Sequence, residues 1–272
     1  MENYHPLLAL AIKAAVMAGK EIRDVYAHDF NVIDKDDKSP LTEADLRSHK
    51  KICEILNETT LPVLSEEGKA IEFKERSHWK LFWMIDPLDG TKEFIKRNGE
   101  FTVNIALIQQ NEPVMGVIYA PMIDTLYFGC EGIGSFKLEA DDDYLTHLIL
   151  SHHVVDKVIE ASRRLPIKNA AKHFTVVASR SHMNSETEAF IDTLRKSHGE
   201  IDMISKGSSL KLCLVAEGSA QVYPRFAPTM EWDTAAGQAI VKHAGFSVVD
   251  VLKQQPVIYN KEELLNPWFI VQ

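Results

Sequence analysis

Cysteine, positive charge and long apolar runs are all scarce in this 272-residue sequence. The three cysteines, Cys53, Cys130 and Cys213, are too few and too scattered for a disulfide framework or a zinc cluster. None has a recognisable activating context for a thiol nucleophile. Lys and Arg number 30 against 39 Asp and Glu, a net charge of −9. That balance argues against passive nucleic-acid binding, which needs clustered Lys and Arg on one face. A small anionic substrate stays compatible with it, provided metal ions invert the local field. No stretch approaches the ~20 apolar residues of a spanning helix. The segment from Met1 to Ala18 has its one lysine, Lys13, inside an apolar pattern and no basic leader, so the expected location is the cytoplasm. Internal repeats and low-complexity tracts are lacking too.

What is present is ordinary for a globular chain: 45% apolar and 25% charged residues. The length suits one large domain or two fused smaller ones, and it buries a sizeable core without staples. A bound metal would therefore serve chemistry rather than folding. Leu7, Leu8, Ala11, Ala14, Ala15, Ala18, Ile22 and Val25 recur at helical spacing and predict a long N-terminal amphipathic helix. Thr42 followed by Asp45 predicts a helix start of the capping-box kind, with the helix running to about Leu56. Short strands are expected over 62–64 and 81–85. A largely antiparallel sheet is expected over 102–108, 113–120, 125–128 and 134–138, separated by Gly, Pro and Asn turn signals.

Residues 139–173 change character, from the acidic run Asp141–Asp143 to the basic Arg163, Arg164, Lys168 and Lys172, and a junction is placed near their middle. Strand and helix then alternate to 247–249, which argues for an α/β layered second half. The expected division is an α+β half over 1–155 and an α/β half over 156–272.

The most informative stretch is Trp83-Met84-Ile85-Asp86-Pro87-Leu88-Asp89-Gly90-Thr91, an apolar strand ending in one aspartate with a second presented three residues later. Two converging carboxylates raise each other's cost of ionising unless a cation sits between them. Hard oxygen donors without nearby Cys or His favour Mg²⁺ or Mn²⁺ over zinc. A plain surface turn is an equal alternative, because Asp, Pro and Gly are common turn formers. Ser65-Glu66-Glu67-Gly68 follows the apolar Val63-Leu64; adjacent glutamates ordinarily make a solvated loop, yet strand ends in layered folds gather ligands. In Glu231-Trp232-Asp233-Thr234-Ala235-Ala236-Gly237, Asp233 stands at a helix N-terminus, where a cap needs no further role. Capping is also the simpler reading of Asp45.

Taken together, Glu66-Glu67, Asp86 to Thr91 and Trp232 to Gly237 resemble, in order and spacing, the two signatures of the lithium-sensitive inositol monophosphatase superfamily. Thr91-Lys92-Glu93-Phe94-Ile95-Lys96-Arg97, Gly99-Glu100-Phe101-Thr102-Val103-Asn104-Ile105-Ala106, Gly207-Ser208-Ser209-Leu210-Lys211 and Tyr223-Pro224-Arg225-Phe226 are similar to the 3′(2′),5′-bisphosphate nucleotidase branch. Inositol monophosphatases usually carry Thr-Thr-Asn-Phe where this chain has Thr91 to Phe94.

The resemblance implies an α/β (α+β) fold, a layered αβαβα sandwich of the inositol monophosphatase and fructose-1,6-bisphosphatase type. The implied reaction is metal-dependent hydrolysis of the 3′-phosphate of adenosine 3′,5′-bisphosphate to AMP. The resemblance leaves room for the sulfated analogue as a second substrate, in the nucleotide turnover of sulfur assimilation. Glu66, Asp86 and Asp89, with the Leu88 carbonyl, resemble the ligands of one metal, and Asp86, Asp89 and Asp233 those of a second. Glu67 resembles the support of a further, weaker ion or its waters. Asp45 and Thr91 resemble the pair that orients and deprotonates the attacking water, with Glu66 beside them. Gly90 and Thr91 would offer backbone N–H groups to the scissile phosphate, a position that Glu66, Leu88, Asp89 and Asp233 also line. Ser179, His182, Gly207, Lys211 and Arg225 match nucleotide-contacting positions, and a 5′-phosphate gives Lys211 and Arg225 a purpose.

The implied cofactor is Mg²⁺, two or three ions, with Mn²⁺ as substitute and Li⁺ as inhibitor. The implied partner is a small nucleotide, not nucleic acid. Arg163, Arg164, Lys168 and Lys172 fit the peripheral contact with the cytoplasmic face of the inner membrane described for relatives. Two other readings stay open: a phosphatase of inositol phosphates or another small monoester, and a non-catalytic metal or nucleotide sensor, against which the full set of carboxylates counts.

Overall fold

The computed structural model describes residues 4–34, 40–167, 173–178 and 184–272. In chain order its elements are α1 (His5–Tyr26), β1 (Val32–Asp34), β2 (Pro40–Thr42), α2 (Glu43–Leu56), β3 (Val63–Ser65), α3 (Phe73–Arg76), β4 (Leu81–Asp89), α4 (Thr91–Ile95), β5 (Thr102–Gln109), β6 (Glu112–Ala120), β7 (Thr125–Cys130) and β8 (Gly134–Glu139). They continue as α5 (Asp142–Ile149), α6 (Val154–Ala161), β9 (Arg163–Arg164), β10 (Phe174–Ala178), α7 (Ser185–His198), β11 (Ile201–Ser205), α8 (Leu210–Glu217), β12 (Tyr223–Arg225), α9 (Glu231–His243), β13 (Val248–Asp250) and β14 (Phe269–Val271).

A seven-stranded sheet runs β3-β4-β5-β6-β7-β8-β9. Only the β3–β4 pair is parallel. Side chains alternate between its two faces with the strand period of two. On one face Trp83, Ile85, Val103, Ile105 and Val117 pack against α1, α2 and α5, burying Ile12, Val16, Ile52 and Leu145. On the other, Phe82, Met84, Ala106 and Ile118 meet α8 and α9 through Leu212, Val215, Ala236 and Ile240. α9 lies so close to the sheet that a Cβ at Gly116 would stand 2.1 Å from the Ala236 carbonyl oxygen.

Beyond α8 and α9 lie the β12-β14-β13 sheet and the parallel β10–β11 pair, joined by a bridge between Val176 and Val222. α7 covers that second layer through Ile191, Phe190 and Leu194. The order helices, sheet, helices, sheet, helix is the expected αβαβα sandwich.

Local chemistry explains the boundaries. Thr42 caps α2, its hydroxyl accepting from the Ala44 amide at 3.2 Å while Asp45 reaches back to the Thr42 amide at 2.8 Å. The stretch over 139–167, expected only as a junction, holds α5, α6 and β9. The acidic run starts α5: Asp141 accepts from the Tyr144 amide at 2.8 Å, and Asp142 and Asp143 complement the helix dipole. β12 begins at Tyr223, where its pairing with β14 begins. No helix among the described residues is long and apolar enough to cross a membrane.

Candidate active site

The site grows from an irregularity in β4. Asp86 pairs with Asn104 and Asp89 with Thr102, so three steps on β4 match two on β5. In a regular strand, residues three apart face opposite sides. The extra residue of the bulge corrects that and turns Asp86 and Asp89 toward one side. Pro87, which has no N–H for the ladder, sits in the bulge. The sequence predicts a turn here; the strand instead continues through the bulge to Asp89, and the left-handed Gly90 (φ 94°) ends it. Ser48 of α2 pins the bulge from behind, its hydroxyl donating to the Pro87 carbonyl at 2.6 Å in a fully buried setting.

Around this bulge other segments deliver acids. Asp86 is 1% exposed and its Oδ1 accepts from the Leu88 amide at 3.1 Å. Burial, then repulsion from Glu66, Asp89, Asp233 and Asp45, raises its pKa well above the usual carboxylate range. Asp89 is raised by burial, against the pull of Lys211 and the hydrogen bonds of its Oδ2 from the Ser209 amide (2.5 Å) and Asn104 (3.4 Å). Asp233, third residue of α9, accepts from the Met230 amide at 2.9 Å. Burial and the charge of Asp89 push it up to about 8. Glu66 follows β3, and its amide donates to the Ile85 carbonyl at 3.2 Å, which fixes the turn beside β4.

Asp45 does two things at once. Its Oδ2 accepts from the Thr42 amide and, at 2.6 Å, from the Thr42 hydroxyl, while its Oδ1 accepts from the Thr91 hydroxyl at 3.2 Å. Burial raises its pKa, with a contribution from the negative charge of Glu67. Thr91 also reaches the Leu88 carbonyl at 3.4 Å. His49, its pKa lowered by burial, hydrogen-bonds the Ser65 hydroxyl at 2.9 Å, just before the glutamate pair.

From Asp89 and Asp233 a cleft of about 290 Å³ extends between the two halves of the chain, lined further by Glu93, Lys96, Glu100, the 205–209 loop, Lys211 and Arg225. Lys211 is buried; its Nζ donates to the Ser208 carbonyl at 2.5 Å and lies 5.8 Å from the Tyr223 ring centroid. Burial lowers its pKa to about 8. Arg225 donates to the Pro228 carbonyl at 2.9 Å, and its buried Nε has no hydrogen-bond partner among the described residues. The Gly207 amide donates to Glu100 at 2.9 Å.

The expected residues Asp45, Glu66, Asp86, Leu88, Asp89, Gly90, Thr91 and Asp233 thus gather at one end, with Gly207, Lys211 and Arg225 along the cleft. Ser179 and His182 lie outside the described residues. Sequence reasoning missed Ser48, Asn104, Ser209 and the latch role open to Glu100. An asparagine in the apolar run Val103 to Ile108 was a signal, since a buried polar side chain needs partners; Ser48 gave none.

Among the described residues no three acidic, histidine or cysteine side chains already enclose a common ion. One oxygen each of Asp86, Asp89 and Asp233 is turned to a backbone amide. The donor set nonetheless fits a hard divalent cation: buried carboxylates raising one another's pKa, a nearby carbonyl, and no soft ligand.

Comparison with known proteins follows the same line. Residues 3–268 match the model of the inositol monophosphatase family. The 3′(2′),5′-bisphosphate nucleotidase CysQ of Salmonella typhimurium is 42% identical over 97% of this chain and 99% of its own length. The Escherichia coli K12 protein of the same name is 42% identical over 93% of this chain and 94% of its own. The crystal structure of CysQ from Bacteroides thetaiotaomicron superposes with a TM-score of 0.90 at 52% identity, covering 99% of this chain and 97% of that one. A Thermotoga maritima IMPase, 22% identical, shares the fold with a TM-score of 0.72 over 98% of this chain and 92% of its own.

Proposed function

The chain belongs to the inositol monophosphatase family, a family of divalent-metal-dependent phosphatases, and from that premise we propose that it hydrolyses the 3′-phosphate of adenosine 3′,5′-bisphosphate to give AMP and phosphate. One observation carries the reading: carboxylates from four separate segments converge at one end of a cleft, and two buried cations, Lys211 and Arg225, lie along it. A substrate with phosphate at both ends suits that polarity. Arg225, whose buried Nε has no partner among the described residues, and Lys211 take the 5′-phosphate; at pH 7 a Lys211 with a pKa of about 8 remains largely protonated.

Glu66, Asp86, Asp89 and the Leu88 carbonyl would hold one Mg²⁺ and Asp86, Asp89 and Asp233 a second, with Glu67 near a third and Li⁺ competing for one position. When bound, such ions neutralise phosphate charge and acidify water. The chain's own groups do the rest. Asp45 Oδ1 already accepts the Thr91 hydroxyl proton, which turns a Thr91 lone pair outward to receive a proton from water. The raised pKa of Asp45 moves it toward the working pH of a general base. Glu66, Asp89, Gly90, Thr91 and Asp233 border the scissile phosphate, and Gly207 borders the nucleotide.

The test is turnover of adenosine 3′,5′-bisphosphate against inositol 1-phosphate with Mg²⁺. A kcat/KM at least about 10-fold higher for the nucleotide is expected; preference for the inositol ester would refute the assignment. AMP binding without turnover of either ester by wild type, with Asp89→Asn changing that binding, would point to a binding protein instead.

A further inference from the structure

Glu100 is an acidic residue in a cleft that the reading above gives to an anion, a position where a carboxylate opposes binding unless its charge is engaged. It is engaged across the cleft. One oxygen accepts from the Gly207 amide at 2.9 Å and the other from Lys206 Nζ at 3.3 Å. The approach is close enough that a Cβ at Gly207 would lie 2.7 Å from the Glu100 carbonyl oxygen and 2.9 Å from Glu93 Cγ, so position 207 tolerates only glycine.

The loop that Glu100 grips carries the nucleotide end of the cleft. Ser208 holds a left-handed backbone (φ 46°), and Lys211 Nζ is cradled by the carbonyls of Ser208 (2.5 Å) and Lys206 (3.4 Å). Among the described residues the loop is also held to the N-terminal half at Ser209, its amide on Asp89 and its hydroxyl 2.8 Å from both Asn104 Oδ1 and Thr102 Oγ1, and more loosely at Ser208, whose hydroxyl accepts from Thr102 Oγ1 at 3.4 Å. The Ser209 anchor belongs to the reacting end; the Gly207 anchor does not.

We propose that Glu100 is a positioning residue for substrate preference: bridging the cleft to Gly207 and Lys206, it fixes the 206–208 carbonyls that aim Lys211 at the distal phosphate, and so favours nucleotides phosphorylated at both ends over simple monoesters. The proposal rests on the function assigned above. Loss of Glu100 frees Lys206 and Gly207 while Ser208 stays on Thr102 and Ser209 on Asp89, so the reacting end is preserved.

The experiment compares wild type, Glu100→Ala and Glu100→Gln in three measurements: hydrolysis of adenosine 3′,5′-bisphosphate, hydrolysis of para-nitrophenyl phosphate, and AMP affinity by calorimetry. Glu100→Ala should raise KM for the bisphosphate and Kd for AMP about 10-fold, the scale of one lost charge-assisted hydrogen bond. kcat should stay within about 2-fold on both esters, since no contact made only in the transition state is lost. Glu100→Gln, whose amide oxygen still accepts from Gly207, should recover most of the affinity; a glutamine as damaging as alanine overturns the Gly207 anchor. Unchanged KM and Kd in Glu100→Ala, or an equal loss of kcat on both esters, overturns the proposal outright. If wild type fails to hydrolyse the bisphosphate yet Glu100→Ala still weakens AMP, the latch stands and the assigned function falls. Absence of AMP binding by wild type sinks both.

Discussion

Replacing Asp233 by asparagine should make the metal-free protein more stable, and the gain should grow with pH. Asp233 is raised from 3.8 to about 8 in the folded chain by burial and the neighbouring Asp89. Between those two values the unfolded chain has released a proton that the folded chain retains. Stability therefore falls with rising pH by ~1.4 kcal/mol per unit from this group alone, and levels off above the folded pKa. Asparagine has no such term, yet its side-chain oxygen can still accept from the Met230 amide that Asp233 now caps. The difference between variant and wild type should widen by ~2–3 kcal/mol from about pH 5 to about pH 7.

Because the quantity read is a change with pH, any constant cost of the substitution cancels. The assay is urea unfolding in EDTA at half-unit pH intervals, repeated with saturating Mg²⁺. With the ion, wild type should gain RT ln(1 + [Mg²⁺]/Kd) and overtake the variant. A variant–wild type difference flat across that range would refute the idea that Asp233 sits in a field of other carboxylates. Equal stabilisation of both proteins by Mg²⁺ would remove it from the ion's ligands.

Asp45→Asn should lower kcat by about 100-fold or more with little change in KM, because asparagine can still cap Thr42 but cannot take the Thr91 proton; circular dichroism should match wild type. Lys211→Met, which keeps the buried stem but loses the charge, should raise KM for adenosine 3′,5′-bisphosphate about 10-fold and spare para-nitrophenyl phosphate. Ser48→Ala should leave the buried Pro87 carbonyl unsatisfied, costing ~1–3 kcal/mol in urea unfolding and weakening Mg²⁺ in calorimetry, as the bulge beneath Asp86 and Asp89 loosens.

Local chemistry was legible in the sequence where it stays local. Thr42 and Asp45 spell a capping box in four residues, and α1 shows its stripe without any partner. α5 carries an equally local signal in Asp141, Leu145, Leu148 and Ile149, obscured because the acidic run reads first as a change of composition. What could not be read is whatever a distant partner decides. The bulge in β4 exists only relative to β5, and β14, later in the chain than both, enters between β12 and β13. The contact of Glu100 with Gly207 spans 107 residues and depends on how the halves meet.

Four carboxylates at the site each have a structural role of their own. Asp233 is a helix cap, Asp45 completes a capping box, Asp86 closes a turn onto Leu88, and Asp89 ties down Ser209. A cap, however, uses one of two carboxylate oxygens. Binding that oxygen to a rigid backbone amide fixes the plane of the carboxylate and so the direction of the other. For Asp45 the second oxygen is seen at work, accepting from Thr91. Side chains held this way lose little further freedom when a cation arrives, and they cannot swing apart to relieve their repulsion. Burial first, and the neighbouring carboxylates second, raise the pKa values of Asp86 and Asp233. Under the ion binding proposed above, capping and coordination would be two uses of one group, the first strengthening the second.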